Sequence, residues 1–339
     1  RRSIPMAPST LKKLLLLVLL LSLLAWIVNR ETSDNPEAPA FMQERSPVAE
    51  STPSSETTEF TVTSSRPLPR AGSPPPQEVL TAAREHLQQG GSEGRCGPYD
   101  LLGDVTDVEL LATCERIAAQ LDDTYRERFG VDPIGQPAAT VLLFDNRDGY
   151  RGFAAQEGMT SAGYAGFSVP SRGYTAAWAD ADRSEDFAKT LAHEMTHLVN
   201  RRALGGSLPR WLSEGLADAV GDTATGSGLQ ALEGLRGVEG QASRLLLGLE
   251  SGQVQSTARL VSLNNADFDS AAISYDYEQS ALLVRYLLVE PDLVDRFRAF
   301  LARLAEGEDY SPELLQQHLA VEWTELDQRL NSWVRSATA

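Results

Sequence analysis

Residues 191–200 read LAHEMTHLVN, and they place two histidines, His193 and His197, four positions apart. The surrounding stretch, 184–203, has the apolar periodicity of a helix, with one stripe formed by Phe187, Leu191, Met195 and Leu198. Four residues advance a helix by about 400°, so the two imidazoles lie about 40° apart and one turn along. Because the apolar stripe occupies a different face, we predict that both histidines line a cleft and share one metal ion.

The residue that follows the first histidine, Glu194, supplies a carboxylate beside that ion. Zinc in catalytic sites uses three protein ligands and keeps one position open for water. The side chain of Glu194 can reach this water instead of the metal. A His-Glu-x-x-His pattern arises by chance in roughly one chain in a hundred of this length, but here it uses two of only four histidines. The pattern therefore predicts Zn²⁺ as the cofactor and Glu194 as a general base.

A third ligand is predicted in residues 208–218, LPRWLSEGLAD, where Glu214 is the candidate. Pro209 suits the first turn of a helix, and Asp218 follows Glu214 by one turn, so both carboxylates face the same way. Asp218 is then expected to accept the second ring N–H of a ligating histidine. The alternative is two solvated acids on a helix surface, but both acids lie within the apolar run WLSEGLADAV.

These two segments together resemble the peptidase MA-like family of gluzincins, which is related to thermolysin and to the zinc aminopeptidases. The resemblance rests on HEMTH and WLSEGLA, with 16 residues between His197 and Glu214, and covers roughly 141–290. It implies His193, His197 and Glu214 as zinc ligands and Glu194 as the base. It also implies a thermolysin-like α+β fold, in which an N-terminal mixed sheet with helices precedes a helical C-terminal half and the active-site cleft lies between them. A strand antiparallel to the substrate is expected near 174–180.

A second stretch, 273–283 with the sequence ISYDYEQSALL, is similar to a helix of the aminopeptidase branch that begins with a tyrosine. This resemblance implies that the Tyr277 hydroxyl stabilises the oxyanion of the tetrahedral intermediate. Tyr275 is the competing residue, because predicted helix starts carry an error of about two residues. In the remaining interpretation both are ordinary aromatic residues at a helix start.

The chain also departs from the aminopeptidase branch. A Gly-x-Met-Glu-Asn stretch, which anchors the substrate amine in that branch, is absent before the predicted zinc helix, so endopeptidase action is expected. Arg201 and Arg202 are interpreted as a solvated helix end that complements the helix dipole. Contact with a substrate carboxylate is the alternative for these two arginines.

The predicted function is that of a zinc-dependent peptidase, which hydrolyses peptide bonds through a zinc-activated water with Glu194 as general base. The expected partner is a peptide or protein substrate. The alternative is a catalytically inactive, membrane-tethered binding protein that retains a zinc-peptidase fold. The formal net charge of −17 argues against nucleic acid as a partner, since phosphate backbones select basic surfaces.

The first 30 residues are predicted to be an export signal or membrane anchor. Residues 14–28 are uncharged, with basic residues before them and acidic residues after them. Their length, about 22 Å as a helix, is slightly short for a span, so an uncleaved anchor is favoured and a cleaved signal peptide is the alternative. Residues 31–77, rich in Pro, Ser and Thr, are predicted to be a disordered tether. The rest of the protein would then be extracytoplasmic and anchored to the cytoplasmic membrane, or secreted if the signal is cleaved.

Residues 78–339 are predicted to form the peptidase domain, with a sheet and zinc-helix half at about 95–205 and a helical half at about 206–339. Strands are predicted at 99–105, 138–144, 163–168 and 174–179, and the principal helices at 108–129, 184–203, 209–220, 238–249, 274–289, 292–305 and 312–335. Strands that precede helices in this way indicate an α+β domain. The two cysteines, Cys96 and Cys114, are expected to form a disulfide, and two buried free thiols are the alternative.

Overall fold

The computed structural model describes residues 75–132, 139–159, 165–205, 208–223, 239–269 and 275–337. These residues belong to one unit of the chain, Thr63–Ala339, by their contacts. The predicted export signal or anchor at 1–30 and nearly all of the predicted tether at 31–77 lie outside the described residues. Among the helices described, none is both long enough and apolar enough to cross a membrane.

The described residues form one five-stranded sheet and twelve α-helices. The strands are β1 (Ser92–Cys96), β2 (Tyr99–Gly103), β3 (Thr140–Phe144), β4 (Gly166–Val169) and β5 (Tyr174–Trp178). The helices are α1 (Gln77–His86), α2 (Val108–Asp123), α3 (Arg147–Gln156), α4 (Ser184–Ala203), α5 (Arg210–Thr223), α6 (Glu239–Glu250), α7 (Thr257–Ser262), α8 (Asn265–Asp269), α9 (Asp276–Val289), α10 (Val294–Glu306), α11 (Pro312–Leu319) and α12 (Trp323–Ala337). The predicted α+β class is therefore confirmed.

The sheet is mixed, with strand order β1-β2-β3-β5-β4. Strands β2, β3 and β5 run parallel, and the outer strands β1 and β4 pair antiparallel with β2 and β5. All five residues of β3 are buried, as expected for a central strand covered on both faces. On one face Leu142 and Phe144 pack with α1 and α3, and on the other Val141 and Leu143 join the core that includes α2 and α4.

Helix α4 begins shortly after β5 and lies against the sheet through its apolar stripe. Phe187, Leu191, Met195 and Leu198 are all buried, as the periodicity predicts. The opposite face of α4 packs on α5, and three side-chain contacts fix the pair as antiparallel: Lys189 with Asp222, His193 with Asp218, and His197 with Ser213. Helix α5 also packs extensively on α9, so it lies between α4 and α9.

Close approach of α5 to α9 depends on Gly215. A Cβ at this position would lie 2.6 Å from the backbone oxygen of Ser280 and 2.5 Å from Cγ2 of Val284. Only a glycine allows the two backbones this separation without a local shift. Gly215, which directly follows Glu214, therefore determines how closely α5 packs against α9.

Several elements differ from the sequence prediction. Strand β1 was not predicted, because four of its five residues are exposed and the strand lacks an apolar face. Helix α3 was not predicted either, since it contains Gly149 and Gly152, which let it approach His86 of α1 closely. The single helix predicted at 312–335 is two helices, α11 and α12, because Ala320 adopts a left-handed conformation with φ of 50° and ends α11.

The predicted cysteine pair is a disulfide. Cys96 at the end of β1 is bonded to Cys114 in α2, and both residues are buried. The bond joins the outer strand of the sheet to a helix of the central core, and it excludes the alternative of two free thiols.

Candidate metal centre

His193 and His197 of α4 and Glu214 of α5 lie together. One ligand atom from each residue can be chosen so that all three are within 4.8 Å of one another. Nε2 of His193 is 3.3 Å from Oε2 of Glu214, and Nε2 of His197 is 3.6 Å from Oε1. The imidazole centroids are 5.0 Å apart and the rings are nearly perpendicular. The structure thus brings the three predicted ligands to one point, where they could hold a metal ion.

Both the position and the surroundings of the Glu214 carboxylate suit the binding of a cation. Only 3% of the residue is exposed, and its buried Oε1 accepts no hydrogen bond among the described groups. The Arg210 guanidinium, one turn earlier on α5, lies 3.1 Å from this oxygen at ion-pair distance. Burial of a carboxylate is costly; the Arg210 ion pair offsets part of this cost, and coordination to a divalent ion would offset more of it.

Both histidines are oriented through their second ring nitrogen. Nδ1 of His193 is 3.1 Å from Oδ1 of Asp218, which is the contact predicted for Asp218. Nδ1 of His197 is 2.9 Å from the Ser213 hydroxyl oxygen, a contact that the sequence interpretation missed. Partners of this kind fix the ring orientation, and they leave both Nε2 atoms directed at the Glu214 carboxylate. Spacing along α5 gave no direct signal for this contact, because Ser213 lies about 100° around the helix from Glu214.

The pKa values of the site residues follow from burial and from these contacts. Burial by itself would lower the pKa of His193, but its hydrogen bonds with Asp218 and Glu214 hold that pKa well above the ordinary value. Burial lowers the pKa of His197 to about 4, despite the opposing charge of Glu214. Burial would raise the pKa of Glu214, but the His193 hydrogen bond and nearby positive charges lower it to about 2. A metal ion that binds a ring nitrogen of His193 competes with a proton for that atom.

Glu194 lies on α4 between this triad and the sheet edge. A Cβ on Gly166 of β4 would be 3.0 Å from Cγ of Glu194 and 2.8 Å from Cγ2 of Thr190. Gly166 therefore leaves the space that the Glu194 side chain occupies. Burial raises the pKa of Glu194 to about 7, although the charge of His193 opposes this shift. A cation at the triad would lower that pKa again, because an opposite charge favours the carboxylate form.

Among the described strands, β4 is an outer strand and lies near Glu194, whereas 174–178 form the inner strand β5, so the expectation of a substrate-pairing strand at 174–180 is wrong. Strand β5 is hydrogen-bonded to β3 on one side and to β4 on the other. The bond from Trp178 N to Ala165 O means that alternate residues, starting with Ala165, face β5. Gly166 and Ser168 consequently direct their backbone N–H and C=O groups away from β5.

The two tyrosine candidates lie at the start of α9. Tyr277 is 39% exposed, and its ring packs edge-on against Phe268 with centroids 5.0 Å apart. Tyr275 is the N-cap residue of α9, and its ring is packed closely against Gly248 of α6. The described contacts place neither hydroxyl at the triad, and the predicted role of Tyr277 stays a prediction.

The two arginines in the last turn of α4 have different surroundings. Arg202 is only 7% exposed, so its interpretation as part of a solvated helix end is wrong. Arg201 is exposed and lines a pocket beside His197. The difference arises because consecutive helix residues point about 100° apart, which turns Arg202 towards the core.

The chain matches no protein-family model, and no curated protein matches it significantly.

Proposed function

We propose that this protein is a zinc-dependent peptidase of the gluzincin type, with His193, His197 and Glu214 as the zinc ligands. The observation that carries the proposal is the buried Glu214 carboxylate, which faces the Nε2 atoms of both histidines. Two histidines and one carboxylate are the protein ligands of catalytic zinc sites that keep a position open, whereas structural sites are fully coordinated. The ligands lie on two antiparallel helices joined by a short connection, which supports a preformed site.

Zinc in this position would polarise the scissile carbonyl and lower the pKa of a water molecule. Glu194 accepts a proton from the attacking water at its carboxylate and delivers it to the leaving amine nitrogen. Asp218 and Ser213 hold the two imidazoles in the orientation that directs Nε2 at the metal. Tyr277 is proposed to donate a hydrogen bond to the oxyanion.

The position of β4 as an outer strand of the described sheet supports a peptide as the substrate. The backbone groups of β4 that face away from β5 would add an extended chain to the sheet, which is a general mode of peptide recognition. Gly166 lies directly against Glu194, so a chain bound on this edge would pass the general base. Pairing through the backbone places no requirement on a free amine, which favours the endopeptidase action that we propose.

Two substitutions test this proposal together. Glu194→Gln should retain zinc and lose hydrolysis of denatured proteins by at least 100-fold, because the general base is removed. Glu214→Ala should lose most of its zinc. Glu185→Gln, an exposed change on the same helix, is the control and should retain both properties. Zinc content is measured by elemental analysis, and cleavage by mass spectrometry with and without a zinc chelator.

Each failure has a distinct meaning. Hydrolysis by Glu194→Gln at the wild-type rate would exclude the proposed mechanism. Zinc binding without cleavage of any denatured protein would instead support an inactive binding protein that retains the fold. Full zinc content in Glu214→Ala would exclude the ligand set.

A further inference from the structure

Residues of α6, α9 and α12, together with the segment between α6 and α7, line a second cavity of about 200 Å³. None of its described lining residues belongs to the candidate metal centre. Pockets that hold drug-sized ligands enclose roughly 300–1,000 Å³, so this pocket suits a smaller molecule. Its lining is part apolar, from Leu245, Leu249, Val254 and Leu330, and part polar, from Gln255, Ser256, Gln279, Asp327 and Asn331.

Gln279 of α9 brings a buried amide to this pocket. The residue is only 2% exposed, and its Nε2 donates a hydrogen bond to the backbone oxygen of Gln255 at 3.0 Å. This bond fixes the orientation of the amide and leaves Oε1 as an acceptor. Oε1 accepts no hydrogen bond from the described groups. A buried acceptor in this state is costly, and an N–H donor from a ligand would offset that cost.

Asp327 of α12 gives the pocket its negative charge. Its Oδ1 accepts a hydrogen bond from the backbone N–H of Thr257 at 2.9 Å, which is a neutral donor. With the described residues Asp327 forms no ion pair. The Arg259 guanidinium is near this region, but it is exposed and its Nε donates to Oε1 of Gln255. The described lining of the pocket contains no basic residue, so the carboxylate has capacity for a cation.

The lining determines which cation fits. Carboxylates and phosphates would be repelled by Asp327. A hard divalent ion such as Ca²⁺ takes about 6–8 oxygen ligands, and the four apolar side chains provide none. An aliphatic ammonium ion has N–H donors for the polar acceptors and a hydrocarbon part that gains free energy when apolar side chains cover it.

We infer that this pocket binds an aliphatic ammonium ion, with its nitrogen between Asp327 and Gln279 and its hydrocarbon part against Leu245 and Leu249. A free small amine and a lysine side chain of another protein share this chemistry. The inference does not depend on the proposed function, because the pocket and the candidate metal centre have no described lining residue in common.

The test is an NMR titration of the full chain with isopentylamine, which is an ammonium ion at neutral pH, and with isopentyl alcohol, which has the same shape without the charge. We expect saturable binding of the amine with a Kd of about 1 mM, and weaker binding of the alcohol by roughly tenfold, as for the loss of a hydrogen bond to a charged group. Added salt should reduce this preference. Equal binding of the two probes, or no saturable binding of the amine, would overturn the inference.

Asp327→Asn isolates the charge, because an asparagine oxygen still accepts from the Thr257 N–H. Amine affinity should fall about tenfold, to the level of the alcohol, while alcohol affinity stays the same. Asp309→Asn, an exposed change between α10 and α11, is the control and should leave the preference intact. Full preference for the amine in a folded Asp327→Asn protein would exclude this carboxylate and the inference with it.

Two further arms identify the source of the ligand and separate this site from the metal centre. Nα-acetyl-lysine amide presents the ammonium as a peptide does, so binding as tight as that of isopentylamine would indicate a lysine side chain, and weaker binding a free amine. Glu214→Ala should bind isopentylamine as the wild type does. Loss of amine binding in folded Glu214→Ala would place the amine at the metal centre and overturn the inference, whereas absent hydrolysis with intact amine binding would count against the peptidase alone.

Discussion

Asp218 and Ser213 orient the two histidines with partners of different chemistry. Asp218 offers an anionic oxygen to Nδ1 of His193, whereas Ser213 offers a neutral hydroxyl to Nδ1 of His197. Hydrogen bonds to charged groups are roughly twice as strong as those between neutral groups. The two contacts should therefore contribute unequally to metal affinity.

We predict that Asp218→Ala weakens zinc binding by about 10–100-fold, the usual cost of losing an orienting partner. Ser213→Ala is the matched comparison and should cost less, because only a neutral contact is lost. Affinity is measured by competition with a chromophoric chelator, and circular dichroism of the metal-free variants checks their folding. A larger loss for Ser213→Ala than for Asp218→Ala would contradict this order.

The residues that the sequence could identify are those whose spacing along a single helix carries the information. His193 with His197, and Glu214 with Asp218, share a face because each pair is separated by four residues. Gly166 could not be found in this way, since its importance comes from the approach of β4 to Glu194 across the fold. The burial of Arg202 was not predicted for the same reason, because the sequence alone does not show whether a charged side chain faces solvent or the core.

At the scale of elements, the geometry of the candidate metal centre depends most on the placement of α5, because this helix carries Glu214, Asp218 and Ser213. Its depth is set on one side by α4 and on the other by the close crossing with α9 at Gly215. A third fixed point is the buried ion pair in which Arg285 of α9 contacts Asp222, the residue that also pairs with Lys189 of α4. Small shifts of this helix would move all three site residues together.

Gly215→Ala should destabilise the metal-free protein by about 1–2 kcal/mol. Overpacking typically costs about 1–3 kcal/mol, while alanine recovers up to about 1 kcal/mol of helix propensity. Zinc affinity should fall as well, since α5 must move away from α9. The free energy of unfolding is measured with urea.

Gly240→Ala in α6 is the control for this substitution. A Cβ there meets no atom within 4 Å, so only the propensity gain applies and stability should stay equal or rise slightly. Unchanged or increased stability of Gly215→Ala would show that the crossing of α5 with α9 has room to relax.

Periodicity identified most helices to within a few residues of their ends, and α4 at both ends, because their apolar stripes face one core. Periodicity does not give the order of the strands in the sheet. The sequence places β4 before β5, but nothing in either strand indicates that β5 is inserted between β3 and β4. This insertion, which leaves β4 at the edge beside Glu194, is a property of the assembled sheet.

At the scale of the whole molecule, the candidate metal centre joins the two halves of the described domain. His193 and His197 lie on the helix that packs on the sheet, and Glu214 lies on the first helix of the helical half. A metal ion bound by all three would connect these halves through two antiparallel helices. Because an unfolded chain does not hold this arrangement, binding should be coupled to folding.

Zinc removal should therefore lower the thermal midpoint of the protein. At free zinc 100 times above Kd, a ligand specific for the folded state contributes about 2.7 kcal/mol, which for a domain of this size corresponds to roughly 5–10 °C. Differential scanning fluorimetry with a zinc buffer measures this shift. Glu194→Gln should show the full shift, because the ligands are intact, and Glu214→Ala should show little. An equal shift in Glu214→Ala would mean that zinc stabilises the fold from another place, and that the two halves are not joined through this carboxylate.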